Sequence, residues 1–174
     1  IAPIGCLFPC DDLEGLAAYV FRISEATHKT DVALGGAGMV AAAVSAALDG
    51  RSWEGIMDAA MDCYAMAARY GAQTYSASPK ARLALALELA RRHRADAEAF
   101  SLSVYEGIGT TTLMNEAVPT ALAMAYYFKE PHACSLACAN LGGDTDTIGA
   151  MAVAVCGAKA GAAAMDPALI AVLE

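Results

Sequence analysis

Apolar side chains recur along this chain with the three-to-four-residue step of a helix, and nowhere with the sustained alternation of a strand. Leu13, Leu16, Ala17, Val20 and Ile23 follow the i, i+3, i+4, i+7 rule. Asp11 with Glu14 three positions on has the form of a capping box, so the spacing predicts a helix from about Asp12 to Ala26. Val32 to Leu48 is uncharged and apolar all round, the pattern of a buried helix, and it stops before Gly50. Ser52 caps a third segment with Trp53, Ile56, Met57, Ala60 and Tyr64 on one face, ended by Gly71. Ser78-Pro79 puts proline at a first helical position and opens a Leu-rich basic stretch that fades near Arg94.

A short acidic piece follows around Asp96 to Phe100. The run Glu106-Gly107-Ile108-Gly109-Thr110-Thr111-Thr112 then offers glycine and β-branched residues without a helical face, which predicts a loop. Helices are expected from about Asn115 to Phe128, with Pro119 near its first turn, and from Pro131 to Asn140. Another begins within Asp144-Thr145-Asp146-Thr147 after the Leu141-Gly142-Gly143 break and runs to about Gly161, and Asp166-Pro167 opens a last short one. With no linker, repeat or low-complexity tract, the pattern gives one all-α domain or half-domain.

Composition sharpens this picture. Of 174 residues 42 are alanine and only 7% are aromatic, which favours closely packed helices; 57% apolar types exclude a disordered chain. A net charge of -8 argues against a nucleic-acid partner. The basic cluster Lys80, Arg82, Arg91, Arg92 and Arg94 reads as a solvated helix face, with Glu88 in range of Arg91 and Arg92. The uncharged Val32 to Leu48 run has 17 residues, short of the ~20 strongly apolar ones a membrane span needs, so no membrane partner is expected. No export signal opens the chain, and six cysteines are too sparse for a disulfide scaffold. Cys6/Cys10 and Cys134/Cys138 step by four rather than with zinc spacing, so the second pair reads as core thiols and the compartment as a reducing cytoplasm. The opening Ile1-Ala2-Pro3-Ile4 lacks an initiator Met, which suggests a piece of something longer.

The candidate chemistry sits in Gly142-Gly143-Asp144-Thr145-Asp146-Thr147-Ile148-Gly149-Ala150. One Asp suffices to cap a helix; a second, two residues away, adds repulsion that a hard cation such as Mg²⁺, Mn²⁺ or Ca²⁺ would relieve. Spacing alone leaves both readings open.

The string GGDTDTIGA resembles the C-terminal signature of the ADP-ribosylglycohydrolase family. IAPIG at the start, Thr27-His28, and Glu106 to Ala121 (EGIGTTTLMNEAVPTA) resemble further family segments in the family's order, over nearly the whole chain. The resemblance implies a compact multi-helix bundle with a site for two divalent cations, usually Mg²⁺ and in some members Mn²⁺. It implies catalytic Asp144 and Asp146, and metal contacts through Asp144, Asp146 and Thr147. It further implies contacts to ADP-ribose near His28 and along Gly107, Gly109 and Thr110, and an ADP-ribosylated substrate from which free ADP-ribose is released. His93 and His132 match nothing in the family and are expected to be exposed. Two departures matter. Val153 stands where the family keeps a small residue, and the family's Thr/Ser-Asp-Asp group is absent; Asp11-Asp12 lies in the wrong place to replace it and suffices as a helix start. The expectation is therefore that residues 1–174 form the C-terminal half of a single domain, inactive without an N-terminal segment. A non-catalytic member that binds ADP-ribose or serves structurally, like the lens crystallin relatives, is the alternative, and an unrelated helical domain is a third.

Overall fold

The structure, a computed structural model, describes residues 1–165 and 167–172. Asp166, half of the expected last helix start, lies outside them. Six helices begin where a side chain takes up free backbone amides. Asp12, Thr30, Ser52, Ser78, Asp96 and Glu130 cap α1 (Leu13–Ser24), α2 (Asp31–Leu48), α3 (Trp53–Ala68), α4 (Pro79–Arg92), α5 (Ala97–Gly107) and α7 (Pro131–Ala139) in turn. The remaining helices are α6 (Met114–Phe128), α8 (Thr145–Ala160) and the short α9 (Pro167–Ala171). Single 3₁₀ stretches cover Ala2–Leu7 and Ala162–Ala164. Among the described residues there is no strand, and the chain is a compact all-α bundle.

Several expectations need correction. The cap of α1 is Asp12, accepting from the Gly15 amide at 3.0 Å. Glu14 closes no capping box and instead pairs with Arg69 of the loop after α3. Helix α3 ends at Ala68, before Gly71. The acidic piece at Asp96 is a full helix, α5, which carries Glu106 and Gly107; the loop starts only at Ile108. Phe100 and Val104 are its buried residues, too few to produce a visible periodic stripe. Pro119 stands inside α6 rather than in its first turn. His93 is half-buried against Ser103, with Nε2 and Oγ 3.2 Å apart, whereas His132 is exposed.

Helix α2 sits at the centre, touched by α1, α3, α6, α8 and the N-terminal 3₁₀ turn. From Ala33 to Ala47 every residue is buried. It is long and apolar enough to cross a membrane, yet 83% of its residues are covered by the rest of the fold, the profile of a core helix. Small residues make this possible. A Cβ on Gly38 would stand 2.7 Å from that of Ala67, so the α2 and α3 backbones approach at a distance that only glycine allows. Around this axis α4 packs on α6 and α7 on α8. Phe100 of α5 stacks on Tyr127 of α6 with ring centroids 4.2 Å apart. Cys134, Cys138 and Cys156 lie in the α7–α8 core, as the helix-face reading of the first two expects.

Candidate active site

Leu141, buried at the end of α7, leads into two successive left-handed glycines, Gly142 (φ 87°) and Gly143 (φ 78°). This pair reverses the chain into α8 at little cost, since a Cβ is penalised in that region. Gly143 is required for a second reason: a Cβ there would fall on the carbonyl oxygen of Thr110. The close approach lets the Asp144 amide donate to the Thr110 carbonyl at 2.7 Å. The signature loop is thus docked onto the glycine loop by backbone alone.

Asp144 occupies the N-cap position of α8, but its side chain makes no capping bond. The capping reading therefore does not account for it. Its carboxyl lies against that of Asp146, and this contact, with the Thr147 amide and Asp146's own amide, holds Asp146 below the usual carboxylate range. The two carboxyls meet at the positive end of a helix, and with Thr147 next in sequence the residue types offer oxygen alone, a donor chemistry that fits a hard divalent cation. Among the described residues no third His, Cys, Asp or Glu joins the pair. The set fits part of the coordination shell of such an ion, which takes about six oxygens or more.

The glycine loop is held by residues that sequence patterning did not single out. Glu116, on the first turn of α6, accepts from the Thr111 amide at 3.2 Å and the Thr111 hydroxyl at 2.7 Å. Thr111 above all, and Arg82 after it, keep the Glu116 carboxyl below its ordinary range, against the opposing effect of burial. Gly109 (φ 98°) packs on that carboxylate, and its carbonyl accepts from the Thr120 hydroxyl at 2.8 Å. Arg82 reaches across from α4: Nη1 donates to the carbonyls of Ile108 at 3.2 Å and Asn115 at 3.0 Å and lies 3.5 Å from Glu116. The Asn115 carbonyl is free because residue 119, its helical donor, is a proline without an N–H. Arg82 is therefore no member of a solvated face. The expected Glu88–Arg91 pair on the same helix does form, at 2.6 Å.

A cleft of about 600 Å³ opens beside α8. Thr147, Ala150 and Met151 form one wall; Thr27 and His28, from the turn after α1, and Met114 contribute others. Ala33 and Ala37 of α2 leave its floor open. The lining is mainly apolar with a few polar tips, the usual make-up of a small-molecule site. His28 is exposed and its Nδ1 lies 2.8 Å from the Thr27 hydroxyl. The structure thus brings His28 and Thr147 to one cleft and ties Thr110 to Asp144, while Gly109 is held by Glu116 and Thr120. Gly107 stays apart, exposed in the last turn of α5 with open space where a Cβ would be.

A glycine-bracketed acid pair, docked on a glycine loop beside a cleft, is an arrangement whose sequence can be compared with known proteins. The sequence profile of the ADP-ribosylglycohydrolase family matches residues 1–174. The chain belongs to that family. It is also similar to the uncharacterized protein YegU of Escherichia coli K12, 44% identical over 176 residues that cover all of this chain and 52% of the relative. The chain spans about half the length of the curated relative it matches. As the family match is continuous, the glycine loop, the proline-containing helix and the GGDTDT turn are parts of one family fold rather than separate likenesses.

Proposed function

We propose that the protein to which this chain contributes hydrolyses an N- or O-glycosidic bond to ADP-ribose, removing it from a modified protein or small molecule. The observation that carries this reading is the contact of the Asp144 and Asp146 carboxyls next to Thr147 of the cleft, with Asp144 making no capping bond to the helix it starts. Asp144, Asp146 and Thr147 hold part of a shell for two divalent cations, Mg²⁺ first and Mn²⁺ second. When bound, these supply Lewis acidity toward ribose hydroxyls and the attacking water. The remaining ligands come from an N-terminal segment of the same protein, without which the chain is inactive.

The residues divide the remaining work. Asp144 and Asp146 present carboxyl oxygens to the cations. Overall, water adds to the anomeric carbon, its proton passes to the departing nitrogen or oxygen, and ADP-ribose leaves. Gly109 and Thr110 bring bare backbone toward the nucleotide, and His28 supplies a hydrogen-bonding ring at the cleft's edge. Six free thiols suit a reducing cytoplasm as the place of action.

The test is release of ADP-ribose by the full-length protein from arginine-, serine- and acetyl-linked substrates with Mg²⁺ or Mn²⁺. Release from at least one linkage, lost with EDTA and in an Asp144→Asn, Asp146→Asn double variant, is expected. No metal-dependent release from any of the three overturns the catalytic reading. ADP-ribose binding without turnover would then favour a non-catalytic member.

A further inference from the structure

On a chain of net charge -8, three cations converge at the end of α6 remote from the cleft. Arg91 and Arg94, from the end of α4 and just beyond it, and Lys129, following α6, line a pocket of about 470 Å³ with Ala90, Tyr126 and Tyr127. Met114 of the cleft and Tyr126 of this pocket stand at opposite ends of α6, twelve residues or about 18 Å apart along the axis. The two sites are therefore separate.

The pocket is built from fixed walls and from cations of which Arg94 and Lys129 have no carboxylate partner among the described residues. The Tyr127 hydroxyl donates to the His93 carbonyl at 2.8 Å and its ring stacks on Phe100. The Tyr126 hydroxyl bonds Glu54 at 3.2 Å, leaving its ring to flank the pocket. Lys129 ends α6 with φ 63°, in the left-handed region that favours glycine, and its ammonium stands 5.9 Å from the centre of the Tyr126 ring. Arg91 is shared with Glu88, but Arg94 and Lys129 pair with no carboxylate among the described residues. Neighbouring Glu130 is taken by the His132 and Ala133 amides.

We infer that this pocket binds the phosphoryl group of a small phosphorylated molecule. The two guanidinium groups offer planar forks to its oxygens, Lys129 adds a point charge, and the Tyr126 ring faces whatever the phosphoryl group carries. Free phosphate and a nucleotide share this chemistry. The reading is independent of catalysis at Asp144.

Calorimetric titration of the full-length protein in low-salt buffer with EDTA tests it, using inorganic pyrophosphate, AMP and adenosine as probes. Pyrophosphate and AMP are expected to bind and adenosine to give no heat. AMP binding more tightly than pyrophosphate assigns a nucleotide, and equal affinities assign free phosphate. Arg94→Ala and Lys129→Gly should each weaken binding about tenfold, the change expected for one charge-assisted hydrogen bond. Lys129→Gly should keep or raise the melting temperature, because glycine accepts the backbone at that position, so its loss of binding is not unfolding. Absence of binding by both anions, or undiminished binding in the Arg94→Ala and Lys129→Gly variants, overturns the inference.

Discussion

Replacing Arg82 by methionine keeps the aliphatic stem but removes the donors that serve the Ile108 and Asn115 carbonyls and the charge beside Glu116. A hydrogen bond from a charged donor contributes about 1.5–3 kcal/mol when buried. The Arg82 side chain is 30% exposed, so water can replace part of each bond, and a total near 2 kcal/mol is expected for the two. The decisive measurement is the coupling with Pro119. In a Pro119→Ala background residue 119 regains an N–H, which bonds the Asn115 carbonyl in the ordinary helical way. Arg82→Met should then cost about 1 kcal/mol less, the net value of one neutral hydrogen bond. Urea unfolding of the four proteins of this cycle, compared at constant slope, gives the coupling directly. A coupling within about 0.3 kcal/mol of zero would refute the idea that the arginine stands in for the missing helical donor.

Other outcomes follow from the same geometry. Gly143→Ala places a Cβ on the Thr110 carbonyl at a left-handed φ, so it should destabilise the protein by about 2–3 kcal/mol, combining backbone strain with loss of the Asp144–Thr110 bond, and depress ADP-ribose release with it. Glu116 has a folded pKa below its ordinary 4.5, so its stabilising contribution is complete above that pH and is lost as pH falls through the lowered value; Glu116→Gln should flatten that acid limb of the stability profile. The buried Cys63 thiol is pushed up to about 12, first by burial and then by the Glu14 charge, and Cys138 is raised further by its contact with Cys134 and by burial. Mass-spectrometric alkylation at pH 8 should leave both unmodified in the native protein and label them in urea.

What could be read without coordinates was local. Helix starts at Ser52 and Ser78 were legible because each bonds an amide three residues away, a range within which sequence and geometry are nearly the same thing. The fold class followed from alanine content and periodicity. Helix α5 was missed because it buries chiefly Phe100 and Val104 and leaves Glu98, Leu102, Tyr105 and Glu106 exposed. Arg82 was misread because its partners lie 26 and 33 residues downstream, and nothing in its own helix distinguishes it from Lys80. The clue was elsewhere: a proline inside α6 leaves a carbonyl in want of a donor, though not which side chain answers. The acid pair itself was visible as a motif. Its failure to cap α8, and the backbone tie between Asp144 and Thr110, are tertiary facts.

The burial of α2 also sets how the fold opens. Its amides from Val40 to Ala47 lie within hydrogen-bonded helix buried beneath its neighbours, so their exchange with solvent requires opening of the whole bundle. The Gly142–Gly143 turn and the Ile108–Leu113 loop are outside any helix and are held by a handful of identified bonds. They belong to a lower rung of the same opening hierarchy. Small, frequent excursions of these two segments therefore cost far less than opening the axis beneath them, which exchanges only on the timescale of global unfolding.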